Sequence, residues 1–123
     1  MFLTARKLPE ELLHYYALKN RSVLRADDND KLQRLERGVQ GERLSDSLFD
    51  EAGHDNLYIF RDIYLLIEGS VTQYDTLIVS ESGIIVNEIK NYTGDYQVTA
   101  SVWTRNRGTP LPDDPVSQLR RAI

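Results

Sequence analysis

The spacing of apolar and polar positions divides the chain into a helical start, a β-rich middle and a helical end. Residues 9–19 open on Pro9, carry Glu10 and Glu11 where a first turn would be, and finish on Lys19 and Asn20, an order that predicts a helix. Asp27-Asp28-Asn29-Asp30 then offers N-caps for a longer helix over residues 31–49. Its apolar stripe runs Leu32, Leu35, Val39, and the next positions on that face are Glu42, Asp46 and Phe49. A glutamate therefore stands where a leucine is expected. Gly38 and Gly41 lie beside it, each weakening a helix by ~1 kcal/mol relative to alanine, and glycines so placed predict the close approach of another backbone.

Past residue 56 the pattern becomes β. Strands are predicted over residues 57–67, 71–79, 84–90 and 96–104, separated by Glu68-Gly69-Ser70, Glu81-Ser82-Gly83 and Asn91-Tyr92-Thr93-Gly94. Residues 105–113 read as a loop. Asp114-Pro115 is an N-cap and first-turn pair for a last helix with Val116, Leu119 and Ile123 on one stripe. Grouped strands between terminal helices predict an α+β domain, a mixed or antiparallel central sheet of about four strands flanked by helices. Residues 1–30 read as an N-terminal helical extension and residues 31–123 as the domain proper. The last helix has no C-cap before Ile123, which suggests a truncated chain that continues in a longer parent.

The hairpin between the second and third strands gathers charge. With an even loop, paired residue numbers sum to 163, which sets Asp75 opposite Glu88 and Gln73 opposite Lys90 on one face. Opposed residues have Cβ atoms about 5 Å apart. Two carboxylates at that spacing repel by roughly 3 kcal/mol at an effective dielectric near 20, more than the ~1 kcal/mol of a favourable cross-strand pair. The arrangement calls for a proton or a cation. Oxygen ligands with neither Cys nor His nearby select a hard ion, magnesium or manganese.

Composition narrows the setting. The 123 residues suit one domain, able to bury roughly two-thirds of its unfolded surface. The absence of cysteine excludes a disulfide scaffold, a thiolate zinc site and a cysteine nucleophile, and His14 and His54 are too few for a histidine metal site. No apolar run approaches a membrane span, so a soluble, cytoplasmic protein without a membrane partner is expected. The net charge of -4 hides an uneven spread: the middle fifty residues carry eight acidic groups against Arg61 and Lys90, whereas residues 101–123 carry four arginines against two aspartates. Bulk charge alone would not hold a polyanion, and phosphate binding requires the central carboxylates to be neutralised first.

The stretch from Gln73 to Ser80, followed by Gly83-Ile84-Ile85-Val86-Asn87-Glu88-Ile89-Lys90-Asn91-Tyr92-Thr93-Gly94, resembles the nuclease-related domain of the PD-(D/E)xK, restriction-endonuclease-like superfamily. Gly41-Glu42 resembles the Gly-Glu of that family's first core helix, and Trp103 and Pro115-Val116-Ser117-Gln118 its later segment. Tyr74 departs from the commoner small aliphatic, and the leading proline-aspartate is absent. The resemblance implies Asp75 and Glu88 as metal ligands, with the carbonyl of Ile89 as a further ligand. It implies Lys90 as the group that orients water and stabilises phosphate charge, Glu42 as a carboxylate reaching the site from the helix, and Gln118 as a hydrogen-bonding partner. Arg105, Arg107, Arg120 and Arg121 become candidates to hold a nucleic-acid backbone. The implied activity is Mg2+- or Mn2+-dependent hydrolysis of DNA, with RNA left open, and a homodimer is compatible with it. The alternative is a nucleic-acid-binding or regulatory module that keeps the fold without cutting. Trp103 and Tyr15, Tyr16, Tyr58 and Tyr64 are read as packing residues.

Overall fold

A computed structural model describes residues 1–106, 108–111 and 114–123, the side chain of Ala122 excepted. Two helices, α1 (Glu10–Arg21) and α2 (Ala26–Ala52), precede strands β1 (Tyr58–Ile67), β2 (Ser70–Ser80) and β3 (Gly83–Asn87). Then come the short strands β4 (Tyr96–Thr99), β5 (Val102–Arg105) and β6 (Thr109–Pro110), and a final helix α3 (Pro115–Ala122). The class is α+β, as the grouping of strands and helices predicts.

Among the described residues the expected sheet of about four strands is replaced by two antiparallel sheets of three, ordered β1-β2-β3 and β4-β5-β6. The predicted fourth strand folds back on itself at Ala100 and Ser101, both left-handed (φ 49° and 67°), the conformation of a tight two-residue hairpin turn. Neither residue is the glycine or asparagine that normally marks such a turn, so the bend left no sign in the sequence. The second helix begins five residues earlier than expected. The acidic run lies at its start, where Asp27 and Asp28 favour the positive end of the helix dipole, and Arg25 takes the cap position with no side-chain bond to the helix backbone, its guanidinium pairing with Asp28 instead (3.1 Å). At α3 the expected cap forms: Asp114 Oδ1 accepts from the Ser117 N–H at 2.9 Å, with Pro115 in the first turn.

Alternation along β2 buries Tyr74, Thr76 and Ile78 on one face, and Ile59 of β1 lies opposite Ile78. Leu12 of α1 and Leu32 of α2 complete the buried core. Residues 1–8 precede the first helix and form no helix or strand of their own beyond one bridge. Phe2 pairs in parallel with Ile59, and backbone bonds of 2.8 Å run from Leu3 N–H to Ile59 O and from Ile59 N–H to Met1 O. This segment links the helices to the sheet: Phe2 packs edge-on against Phe49 of α2, and the Arg61 guanidinium lies 4.0 Å from the Phe2 ring centre. Among the described residues no helix is long and apolar enough to cross a membrane.

Candidate active site

The β2–β3 hairpin has the register in which paired numbers sum to 163, from Ser80–Gly83 to Thr76–Asn87. The ladder stops one pair before Asp75 and Glu88. There β3 ends three residues short of the predicted Lys90, because the Ile89 N–H turns to the Asp75 carboxylate (2.9 Å to Oδ2) and no longer serves the ladder. Lys90 Nζ lies 2.5 Å from Glu88 Oε1, and both side chains keep about a quarter of their surface in solvent (27% and 22%).

Glu42, Asp75, Ile89 and Lys90 line one cleft of about 570 Å3. Glu88, Lys90, Gln118 and Arg121 line an adjoining groove, and Gln73 and Lys90 border both. Arg105 joins the main cleft, Arg120 is exposed and borders neither, and Arg107 lies outside the described residues. Gly41 explains how α2 comes so near. A Cβ there would stand 2.6 Å from Asn91 Cβ, and Asn91 Nδ2 donates to the Arg37 carbonyl at 2.8 Å. The close approach expected at Gly38 is not found, since a Cβ there would meet open space.

Burial pushes the Asp75 carboxyl above its ordinary range. The Ile89 N–H opposes that rise, and the negative charge of Glu88 adds to it. Burial also raises Glu42, against the pull of Arg6 and with the added repulsion of Asp75, Asp62 and Asp46. Burial alone would lower Lys90, but the hydrogen bond and charge of Glu88 outweigh it and the amine is raised. As arranged, no three acidic or histidine side chains among the described residues form a group able to hold a metal ion.

Several residues here escaped the sequence reading. Arg6 enters from the N-terminal segment: its Nε and Nη2 meet Asp46 at 2.9 and 3.1 Å, and Nη1 reaches the Asp75 carbonyl at 3.0 Å and Glu42 Oε2 at 3.6 Å. Arg61 Nη1 donates at 2.9 Å to Asp46 Oδ2, the oxygen that also accepts from Arg6 Nε, while the Thr4 carbonyl accepts from the Arg61 guanidinium. Asp46 on the apolar stripe is thus a partner for two largely buried arginines, a role that spacing along one helix does not disclose. Asp62, which falls across from Asp75 between the Arg61–Thr76 and Ile63–Tyr74 pairs, has a left-handed backbone (φ 51°) and accepts from Gln73 Nε2 at 2.8 Å. Arg34 and Arg37, which resemble ordinary solvated helix residues, line the cleft.

No curated protein and no solved structure matches the chain. The family model of the nuclease-related domain matches residues 37–123, more than half of the chain, and a restriction-endonuclease-like placement is consistent with it. With Gly41-Glu42, Asp75, Glu88, Lys90 and Gln118 all inside the matched span, the chain belongs to the nuclease-related domain family.

Proposed function

We propose that this chain hydrolyses phosphodiester bonds of nucleic acid, with DNA the expected substrate and a divalent cation as cofactor. The observation that carries the reading is the meeting of Asp75, Glu42 and Lys90 in one cleft, with both carboxyls held above their ordinary range. Two carboxyls raised by burial and by negative neighbours make a site that a cation would relieve. Because the donors are all oxygen, the fitting ion is hard, Mg2+ or Mn2+, held by Asp75 and Glu88 with the Ile89 carbonyl. Such an ion, when bound, supplies a more acidic water and neutralises charge on the phosphoryl oxygen.

The chain's own groups divide the remaining work. Lys90, with its amine raised, stays cationic at neutral pH, so it stabilises charge on the phosphate and is no base. Glu42 is the group suited to take a proton from the attacking water, because its raised carboxyl is a better acceptor than an ordinary one. Gln118 and Arg121 border the groove beside Lys90, where an amide and a guanidinium would position the phosphate.

One observation favours a non-cutting module: Glu88 is already paired with Lys90, which satisfies its charge without a metal. A single experiment separates the two readings. Labelled DNA is incubated with Mn2+, Mg2+ or EDTA and with wild type, Glu88→Ala and Lys90→Ala. The hydrolytic reading expects metal-dependent cleavage that falls about 10²–10³-fold in Lys90→Ala. Cleavage that is equal in all three proteins, or undiminished in EDTA, rejects it.

A further inference from the structure

The main cleft holds more than the acidic groups. Its α2 wall carries Arg34 and Arg37, and its other side carries Tyr92, Tyr96 and Arg105. The cleft lining therefore carries three arginines, from α2 and β5, besides Lys90, along with the carboxylates of Glu42 and Asp75. Among the described residues neither Arg34 nor Arg37 forms an ion pair, so both remain available to phosphate. These arginines lie outside the acidic middle of the sequence, whose Asp75 reaches the same cleft.

The two tyrosines form a stacked pair with ring centres 5.4 Å apart and planes 28° from parallel. That pair is held in place. The Tyr96 hydroxyl donates to the Thr93 carbonyl at 3.1 Å, and Arg105 Nη2 donates to Thr93 Oγ1 at 3.1 Å. The loop between them turns at Gly94 (φ 100°), where a Cβ would meet Asn106 Oδ1 at 2.8 Å and Arg105 Nε at 3.2 Å. Tyr92 keeps 42% of its surface exposed beside the cleft.

An aromatic platform rewards only a base whose face can be reached, and in a duplex the faces are covered by neighbouring base pairs. The cleft, at about 570 Å3, falls within the size range of a small-ligand pocket. We infer that the cleft receives an unpaired strand, with one base stacked on the Tyr92–Tyr96 pair and the flanking phosphates on Arg34, Arg37 and Arg105. This names the substrate class of the proposed nuclease and rests on that reading for its cutting step; the binding it requires is independent of cutting.

The test is anisotropy with labelled single-stranded DNA, single-stranded RNA and duplex of equal length, in EDTA so that nothing is cut. Either single strand should bind at least tenfold more tightly than duplex. Tyr92→Ala should remove most of that preference, about tenfold in Kd for one stacked base, while Tyr92→Phe retains it. Replacing both Arg34 and Arg37 by alanine should make single-strand binding less sensitive to salt, the log–log slope falling by about 0.7 for each phosphate left without its cation. Circular dichroism checks that each variant is folded. Duplex binding as tight as single-strand binding, or an equal weakening for both in Tyr92→Ala, overturns the inference. Duplex cleavage without single-strand preference would leave the nuclease standing and reject the platform. Single-strand preference without any cleavage would do the reverse.

Discussion

Asp46 and Glu42 lie one turn apart on the same stripe of α2, yet their surroundings are opposite. Asp46 is gripped by two guanidinium groups, with Arg6 at 2.9 and 3.1 Å and Arg61 at 2.9 Å. Among the described residues Glu42 pairs only with Arg6 Nη1, at 3.6 Å, and it faces the negative charge of Asp75, Asp62 and Asp46. The first acid closes a structural network that ties the N-terminal segment to β1 and α2. The second is left short of positive charge where the cleft opens. One helix face therefore carries a residue that holds the fold and, a turn earlier, one that the fold holds at some expense. Electrostatic satisfaction separates them better than sequence position or residue type.

The sharpest way to break the contrast is at Arg6. Arg6→Ala leaves Asp46 with half its partners at a site where the two side chains are 11% and 15% exposed. The expected loss is about 3–5 kcal/mol of stability, read by urea or thermal unfolding. Arg6→Lys keeps the charge without the fork and should recover only part of it. Lys90→Ala acts on the other region: cleavage falls by two to three orders of magnitude or so, while the unfolding midpoint moves little, because Lys90 and Glu88 are partly solvated. A large drop in stability from Lys90→Ala would mean that the two regions do not divide the work as described.

A smaller effect tests the approach of α2 to the site. Gly41→Ala must displace Asn91, at about 1–3 kcal/mol for overpacking, less the ~1 kcal/mol that alanine returns to a helix. Gly38→Ala meets nothing and should be stabilising by up to ~1 kcal/mol. Opposite signs three residues apart are the expected result, measured by denaturant titration.

The smallest effect concerns pH. The Asp75 carboxyl is raised in the folded state, so the folded protein binds more protons than the unfolded one between the ordinary carboxylate range and the raised value. Stability from this group is full below the ordinary range and declines as pH rises through the raised value. Asp75→Asn removes the ionised form while its side-chain carbonyl can still accept from the Ile89 N–H. In metal-free buffer the variant should therefore melt slightly above wild type at neutral pH, and the difference should vanish once the medium is acidic enough to protonate ordinary carboxylates. A gain that persists at low pH would assign the effect to packing instead of charge.

Much of this was readable in advance, and for local reasons. Period-2 alternation and a two-residue turn set the β2–β3 register, so Asp75, Glu88 and Lys90 could be brought to one end of a hairpin without coordinates. Gly41 and Glu42 declared themselves by interrupting an apolar stripe. The residues that were not legible act over long range. Arg6 reaches Thr76 Oγ1 and the Asp75 carbonyl from an N-terminal segment with no periodicity to mark it. Arg34 and Arg37 resemble any solvated pair until the Tyr96–Arg105 hairpin is placed across from them. The early end of β3 was hidden because it depends on a side chain capturing a backbone N–H, which alternation cannot express.

Manganese titration by isothermal calorimetry, run on wild type, Asp75→Asn and Glu88→Gln, tests whether Asp75 and Glu88 take up a divalent cation, without reference to cutting. The expected result is saturable uptake by wild type that is lost in both variants while their folds persist. Heat that is absent in wild type, or unchanged by either substitution, would leave Asp75 and Glu88 as members of a purely structural charge network.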